Sequence, residues 1–153
     1  MRRALLRTCL LLAAALAPVP QAIGQTTPAT GTAQDRIGIV LEADERERML
    51  AGMRVYLESL HAIIAALASN RTEPVADAAK RSGAAMLLEV SPVTALKLPP
   101  AFVSMSFDTH DKFDRLAAKA SRPTSRTELL QDLGAITANC TACHATFQMQ
   151  RSQ

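Results

Sequence analysis

The chain has 153 residues, with 17 Lys and Arg against 14 Asp and Glu, which gives a formal net charge of +3. This length predicts one domain. Three of the basic residues, Arg2, Arg3 and Arg7, lie in an N-terminal segment that we expect to be removed, which leaves fourteen basic and fourteen acidic side chains. A balanced mature chain disfavours nucleic acid and anionic lipid as partners.

Residues 1–24 are predicted to be a secretion signal peptide. Basic residues precede the apolar run CLLLAAALAPV, and Ala22 and Gly24 provide the small residues of a cleavage site. Cys9 is lost with the signal, and it lies too early in the apolar run to be a lipoprotein cysteine. We therefore expect an exported, periplasmic protein that does not insert in the membrane. Residues 25–40 are predicted to be a flexible leader, because Thr, Gly and Pro are frequent there.

Residues 41–153 show apolar side chains at helical spacing and no stretch that alternates with a period of two. Helices are predicted over 42–69, 73–90, 100–120 and 126–149, with a proline-rich loop over 91–100. In the first helix the predicted buried stripe is Leu50, Met53, Leu57, Leu60, Ile64 and Leu67. The fold class is therefore predicted as all-α, an up-down-up-down four-helix bundle.

The core of this predicted bundle is short of large side chains. The chain has no Trp, one Tyr and four Phe, and the second and fourth helices would face inward largely with Ala, Gly, Thr and Cys. Such faces leave unfilled volume, which is costly. We expect either a thin, marginal bundle or a non-protein group that fills it.

The motif CTACH places Cys140, Cys143 and His144 on one side of the fourth predicted helix. Cys-x-x-Cys-His is the attachment sequence of haem c, and export fits it. Three other interpretations are open. A zinc site would need His61 or His110 to complete it. A thioredoxin-like pair would follow a strand. A plain disulfide would leave the adjacent histidine unexplained.

Such a motif near the C-terminus of an exported helical bundle resembles the class II c-type cytochromes, the cytochrome c′ group. The resemblance covers about residues 40–150. It implies one covalently bound haem c, held through Cys140 and Cys143, with His144 as the proximal iron ligand. Phe147 matches the aromatic residue that follows the histidine in the family, whereas Gln148 stands where family members commonly have Arg or Lys.

The resemblance also bears on the second axial position of the iron. The segment MLAGMRVYLESLHAIIAALA resembles the first helix of the low-spin members, and it places Met53 as the distal ligand, with Met49 as the rival. Met53 could equally be a gap-filling core residue. We expect His61 near the surface or hydrogen-bonded, and His110 as a buried structural histidine.

The predicted function is a periplasmic one-electron carrier that serves redox partner proteins and is not an enzyme. The alternative is a five-coordinate module that binds nitric oxide or carbon monoxide under an apolar pocket formed by Leu50 or Leu57. A homodimer through the first two helices is common among the proteins that this chain resembles. A haem-free interaction bundle is a third class.

Overall fold

The computed structural model describes residues 35–152, which are mainly helical. Within them the α-helices are α1 (Ala43–Ala68), α2 (Glu73–Lys80), α3 (Pro92–Ala95), α4 (Pro100–Ala120) and α5 (Arg126–Thr146). A 3₁₀ segment spans Ala84–Glu89, and two strands, β1 (Ile37–Leu41) and β2 (Phe147–Arg151), pair with each other. The prediction of a mostly helical chain is confirmed, and the prediction of no strands is wrong. The predicted signal peptide and residues 25–34 of the leader lie outside the described residues.

The three long helices begin where local chemistry favours a start. Pro100 occupies the first turn of α4, where the absent N–H has no intrahelical partner to lose. At α5, Ser125 and Glu128 form a capping box, in which each side chain bonds to the other's backbone N–H. A capping box between Glu42 and Glu45 opens α1. These starts agree with the prediction to within one residue.

The second predicted helix, 73–90, is wrong in its second half, because α2 ends at Lys80. Its continuation is prevented by contacts with α4. The ring of His110 bonds to the carbonyl oxygen of Ser82 at 2.9 Å, and the carboxylate of Asp114 accepts a hydrogen bond from the N–H of Ala84. The chain therefore turns at Ser82 and resumes as the 3₁₀ segment. The predicted loop contains α3, whose N-cap is Ser91.

Strands β1 and β2 correct two further predictions, the flexible leader over 25–40 and the extension of the fourth helix to residue 149. The strands are parallel, with Ile37 opposite Phe147 and Leu41 opposite Arg151. Ile39, Leu41 and Phe147 are buried with Phe102 of α4 in a small second cluster. Burial of these large apolar side chains stabilises the strand conformation at both ends of the described chain.

The main hydrophobic cluster joins α1, α2, α4 and α5. Its large members include Ile63, Leu67, Phe113, Leu116 and Ile136. The buried alanines of α2 and α4 belong to the same cluster, and small side chains let two helices approach closely. We expected unfilled volume along the second helix, but α2 and α4 pack closely there through these alanines. Open volume is found instead between α1, the segment 84–98 and α4.

Glu45 ties the start of α1 to α3. It is buried, with an exposed fraction of 6%, and its carboxylate accepts hydrogen bonds from Thr94 Oγ1 at 3.0 Å and from Lys97 Nζ at 2.7 Å. The other partner is the N–H of Glu42, at 2.9 Å. The hydrogen bond from Lys97, followed by that from Glu42, holds the pKa of Glu45 below its ordinary value of 4.5.

We expect this carboxylate to make stability pH-dependent. A group whose pKa is lowered by folding stabilises the folded state above its ordinary pKa, and this stabilisation is lost as the pH falls through the lowered value. The Tm of the wild type should therefore exceed that of Glu45→Gln at neutral pH, and the difference should shrink as the pH falls below 4.5. Thermal melts across this range test it, with Glu47→Gln on the exposed side of α1 as the control. A constant difference would contradict the assignment.

Among residues 35–152, α1 alone is long and apolar enough to cross a membrane by length and composition, with a mean hydropathy of 1.3 over its most apolar window. Only 22% of that window is buried in the fold. Length and composition do not separate a membrane helix from a helix that packs in a protein. The inward contacts of Ser59 and Tyr56 with the rest of the chain show that one side of α1 packs in this fold.

Candidate functional site

Cys140 and Cys143 lie in the last two turns of α5, and no disulfide joins them. Both are half-buried. Cys140 packs against the main cluster and its Sγ donates to the carbonyl oxygen of Ile136 at 3.4 Å, whereas Cys143 packs against the second cluster. The side chain of His144 is exposed at the same end of the helix. The two thiols therefore lie where the two clusters meet, with an imidazole beside them.

The pKa of the two thiols and the surrounding side chains bear on the thioredoxin-like and zinc interpretations of the motif. Burial raises the pKa of both thiols, and a negative charge on Cys140 would raise that of Cys143 further. Thiol–disulfide catalysts need the opposite, a thiolate stabilised near neutral pH. No group of three or more His, Cys, Asp or Glu side chains in the described part of the chain is arranged to hold a metal ion. Neither thiol catalysis nor a structural zinc site is favoured by this geometry.

The C-terminal end of α5 is held by the chain that forms β1. Arg36 Nη1 donates to the carbonyl oxygen of His144 at 3.4 Å, and Gln148 Nε2 donates to the carbonyl oxygen of Arg36 at the same distance. A cation near the C-terminus of a helix is favourable because of the helix dipole. Arg36 thus brings a positive charge beside His144 that Gln148 does not supply. Sequence reasoning missed it, because Arg36 lies in the predicted leader.

Met49 and Met53 line a cavity of about 370 Å³ between α1, the segment 84–98 and α4. Cofactor and ligand sites typically measure about 300–1,000 Å³ and are mostly apolar with a few polar groups. The polar side chains of this cavity include those of Tyr56, Ser106 and His110. We call it the α1–α4 cavity. Of the four predicted site residues, only Met53 lines it.

The two thiols do not line the α1–α4 cavity, but each packs against a cluster that has a member or a neighbour in the cavity wall. Cys143 packs against the cluster that contains Phe102, which lines the cavity, and Cys140 packs with Tyr56 against the main cluster. The phenol of Tyr56 is also close enough to both thiols for their charges to raise its pKa, although burial is the larger cause. Met53 therefore lines the cavity, whereas the thiols are linked to it only through the cluster of Phe102 and through Tyr56.

Part of the predicted buried stripe of α1 is wrong, because Leu57 is 67% exposed and Ile64 is 53% exposed. The burial of Leu67 is confirmed, and the helix also buries Ser59, Ile63 and Ala66, which were not predicted. Side chains advance by about 100° per residue in an α-helix. Leu57 and Ile64 therefore lie on the side of α1 turned away from Ser59, which bonds to Ser82 next to α2. Neither Leu57, which is exposed, nor Leu50 lines the α1–α4 cavity, and the gas-binding alternative stays a prediction.

A corresponding open side exists on α5. Asn139 and Asp132 bond to α4, whereas Leu130 and His144, which share the opposite side, are exposed. Helices α1 and α5 make few contacts with each other, although α1 packs well on α2 and α5 packs well on α4. We call this opening the α1–α5 seam. Met53 belongs to one of the two helices that it separates, and Cys140 and His144 belong to the other.

The residues present fit a covalently attached haem. Two unpaired thiols at the spacing of the attachment motif lie on one helix, the imidazole follows directly, and a mostly apolar cavity lined by Met53 lies in the same fold. His61 is exposed and His110 is 3% exposed, so both histidines lie where the sequence predicted. No protein-family model matches this chain, and no curated protein or solved structure is significantly similar to it.

Proposed function

We propose that this protein is a c-type cytochrome of the class II kind, a periplasmic one-electron carrier with one haem c. The observation that carries the proposal is the pair of free, half-buried thiols at CTACH, one of which packs against the cluster of Phe102, a residue that lines the same cavity as Met53. The long helices α1, α4 and α5, together with α2 and the 3₁₀ segment, would then form a four-helix bundle around the cofactor. The predicted signal peptide supports export.

In this proposal each residue of the site has a distinct role. Cys140 and Cys143 would hold the haem through thioether bonds, and His144 would bind its iron. The haem supplies the one-electron redox couple when it is bound. Phe102 and Tyr56 exclude water from the space beside the thiols, because both line the cavity wall. Arg36 holds the carbonyl of His144 and adds a positive charge, which favours the reduced form of a nearby redox group.

Met53 is proposed as the second axial ligand, and Met49 is the rival, because both line the α1–α4 cavity. Met53 lies one turn from Tyr56, whose phenol is within electrostatic reach of both thiols. Met49 packs against the same small cluster as Cys143, so it remains the rival of Met53. A methionine opposite a histidine raises the reduction potential and keeps the iron six-coordinate in both states. This suits electron transfer to redox partner proteins.

A redox titration of the purified holoprotein, followed at the visible bands, tests the carrier role. We expect reversible reduction by one electron, low-spin spectra in both states and no change when carbon monoxide is added to the ferrous form. A high-spin ferric spectrum with ready carbon monoxide binding would contradict the carrier role and indicate the gas-binding alternative instead.

A further inference from the structure

The phenol of Tyr56 and the ring of His110 form a short hydrogen bond at the wall of the α1–α4 cavity. The distance from Tyr56 Oη to His110 Nε2 is 2.6 Å, and His110 Nδ1 lies 2.9 Å from the carbonyl oxygen of Ser82. A carbonyl oxygen can only accept, so Nδ1 carries the proton and Nε2 of the neutral ring is an acceptor. Tyr56 therefore donates its phenolic proton to His110.

We propose that Tyr56 is a second one-electron redox site of this protein, with His110 as the acceptor of its proton. A strong one-electron oxidant of the trivalent metal–polypyridyl class removes one electron from the phenol. The proton moves from Oη to Nε2 along the existing hydrogen bond, and no heavy atom needs to travel. The products are a neutral tyrosyl radical and an imidazolium, so charge and protons balance. The oxidant gains this electron, and its oxidation state falls by one.

The surroundings of His110 suit the imidazolium that this step creates. Both of its N–H groups would have acceptors, the Ser82 carbonyl and the phenoxyl oxygen. Asp114 lies one helical turn after His110, so its carboxylate lies on the same face of α4. This carboxylate accepts a hydrogen bond from the N–H of Ala84, in the turn that contains Ser82. Without such an acceptor, a proton released from a buried phenol would have to cross apolar surroundings to reach water, which is costly.

The surroundings of Tyr56 disfavour simple loss of its proton. Its ring stacks on Phe113, with centroids 5.8 Å apart and planes at 8°, and burial raises the pKa of the phenol. The phenolate is therefore scarce at neutral pH, and oxidation has to be coupled to proton transfer. Among the described residues no buried side-chain nitrogen or oxygen lacks a hydrogen-bond partner, so this network is already ordered before oxidation.

The composition of the chain makes the proposal testable without ambiguity, because Tyr56 is the only tyrosine and there is no tryptophan. The purified protein, with any haem held ferric, is photo-oxidised by a ruthenium polypyridyl complex and an irreversible acceptor, then frozen for electron paramagnetic resonance. We expect a tyrosyl signal that narrows when ring-deuterated tyrosine is incorporated. It should be absent from Tyr56→Phe.

Replacing His110 tests whether this histidine accepts the proton of Tyr56 or only packs against it. In His110→Gln the amide can still accept a hydrogen bond but cannot take the proton, so the rate of radical formation should fall about 100-fold, the lower end of the effect of a positioned base. His61→Gln, an exposed histidine on α1, is the matched control and should leave the rate unchanged. An equal rate in His110→Gln and the wild type would overturn the proposal.

A measurement on the wild type covers the case in which His110→Gln fails to fold. Electron–nuclear double resonance of the radical in light and heavy water should show one exchangeable proton that is hydrogen-bonded to the phenoxyl oxygen. The spectrum should also show coupling of the radical to a histidine nitrogen. A radical with no such proton, or a wild type that yields no tyrosyl signal, would overturn the proposal. The ruthenium oxidant acts with or without haem. The experiment therefore tests the redox role of Tyr56 independently of whether the protein binds haem.

Discussion

The double variant Cys140→Ala, Cys143→Ala should contain no covalently bound haem after export. Both thioether bonds are removed, and His144 alone lies exposed at the helix end and cannot retain the cofactor through purification. The main cluster around Phe113 and Ile136 is built from side chains of four helices, so much of the helical structure should remain. The region around Cys143 and Phe102 should loosen. Haem staining of denaturing gels and far-ultraviolet circular dichroism measure these two effects.

Two variants serve as controls for the cysteine pair. Cys9→Ala changes the third cysteine of the chain, within the predicted signal peptide, and should leave haem content unchanged. His144→Ala should keep both thioether bonds and still lose the native visible spectrum in both oxidation states. Covalent haem at the wild-type level in the double variant would contradict the attachment site. An unchanged spectrum in His144→Ala would move the proximal ligand to another residue.

Met53→Leu should convert a low-spin ferric protein to a high-spin one that binds carbon monoxide when reduced. The substitution removes the sulfur ligand and keeps the side-chain volume, so the fold should lose less than about 1.5 kcal/mol. The near-infrared charge-transfer band of sulfur bound to ferric haem should disappear with it. Absorption spectra of both oxidation states, with and without carbon monoxide, measure the change.

Two other methionines of the same cavity provide controls for Met53. Met49→Leu tests the rival ligand, and Met86→Leu tests a cavity methionine on the 3₁₀ segment that no axial role involves. Both variants should keep the low-spin spectrum. If Met49→Leu rather than Met53→Leu became high-spin, the register of α1 on the haem would be one turn different. If neither variant changed the spectrum, methionine ligation would be wrong.

The starts of the long helices were predictable because they depend on local chemistry. Pro100 and the pair Ser125 and Glu128 mark helix starts whatever the rest of the chain does. The break after Lys80 was not predictable in this way. It depends on His110 and Asp114, which bond to the turn at Ser82 from about 30 residues further along the chain. Strands β1 and β2 likewise depend on each other across the whole described chain.

The orientation of α1 shows a second limit of sequence patterns. Its apolar residues cover a wide arc, so helical spacing does not decide which part of that arc is buried. Leu57 and Ile64 fit the predicted stripe but are exposed, whereas Tyr56 and Ser59 make the inward hydrogen bonds. The candidate cysteines and His144 were predictable from their spacing alone. Arg36 and Tyr56 were not, because their roles come from partners distant in sequence.

The most direct test of the account is the intact mass of the exported, purified protein, combined with a pyridine haemochrome spectrum after acid–acetone extraction. We expect the mass of the processed polypeptide plus one haem. We also expect that the haem survives extraction and gives a haemochrome spectrum typical of two thioether bonds. A bare polypeptide mass with Cys140 and Cys143 as free thiols or a disulfide, and no haemochrome bands, would contradict it.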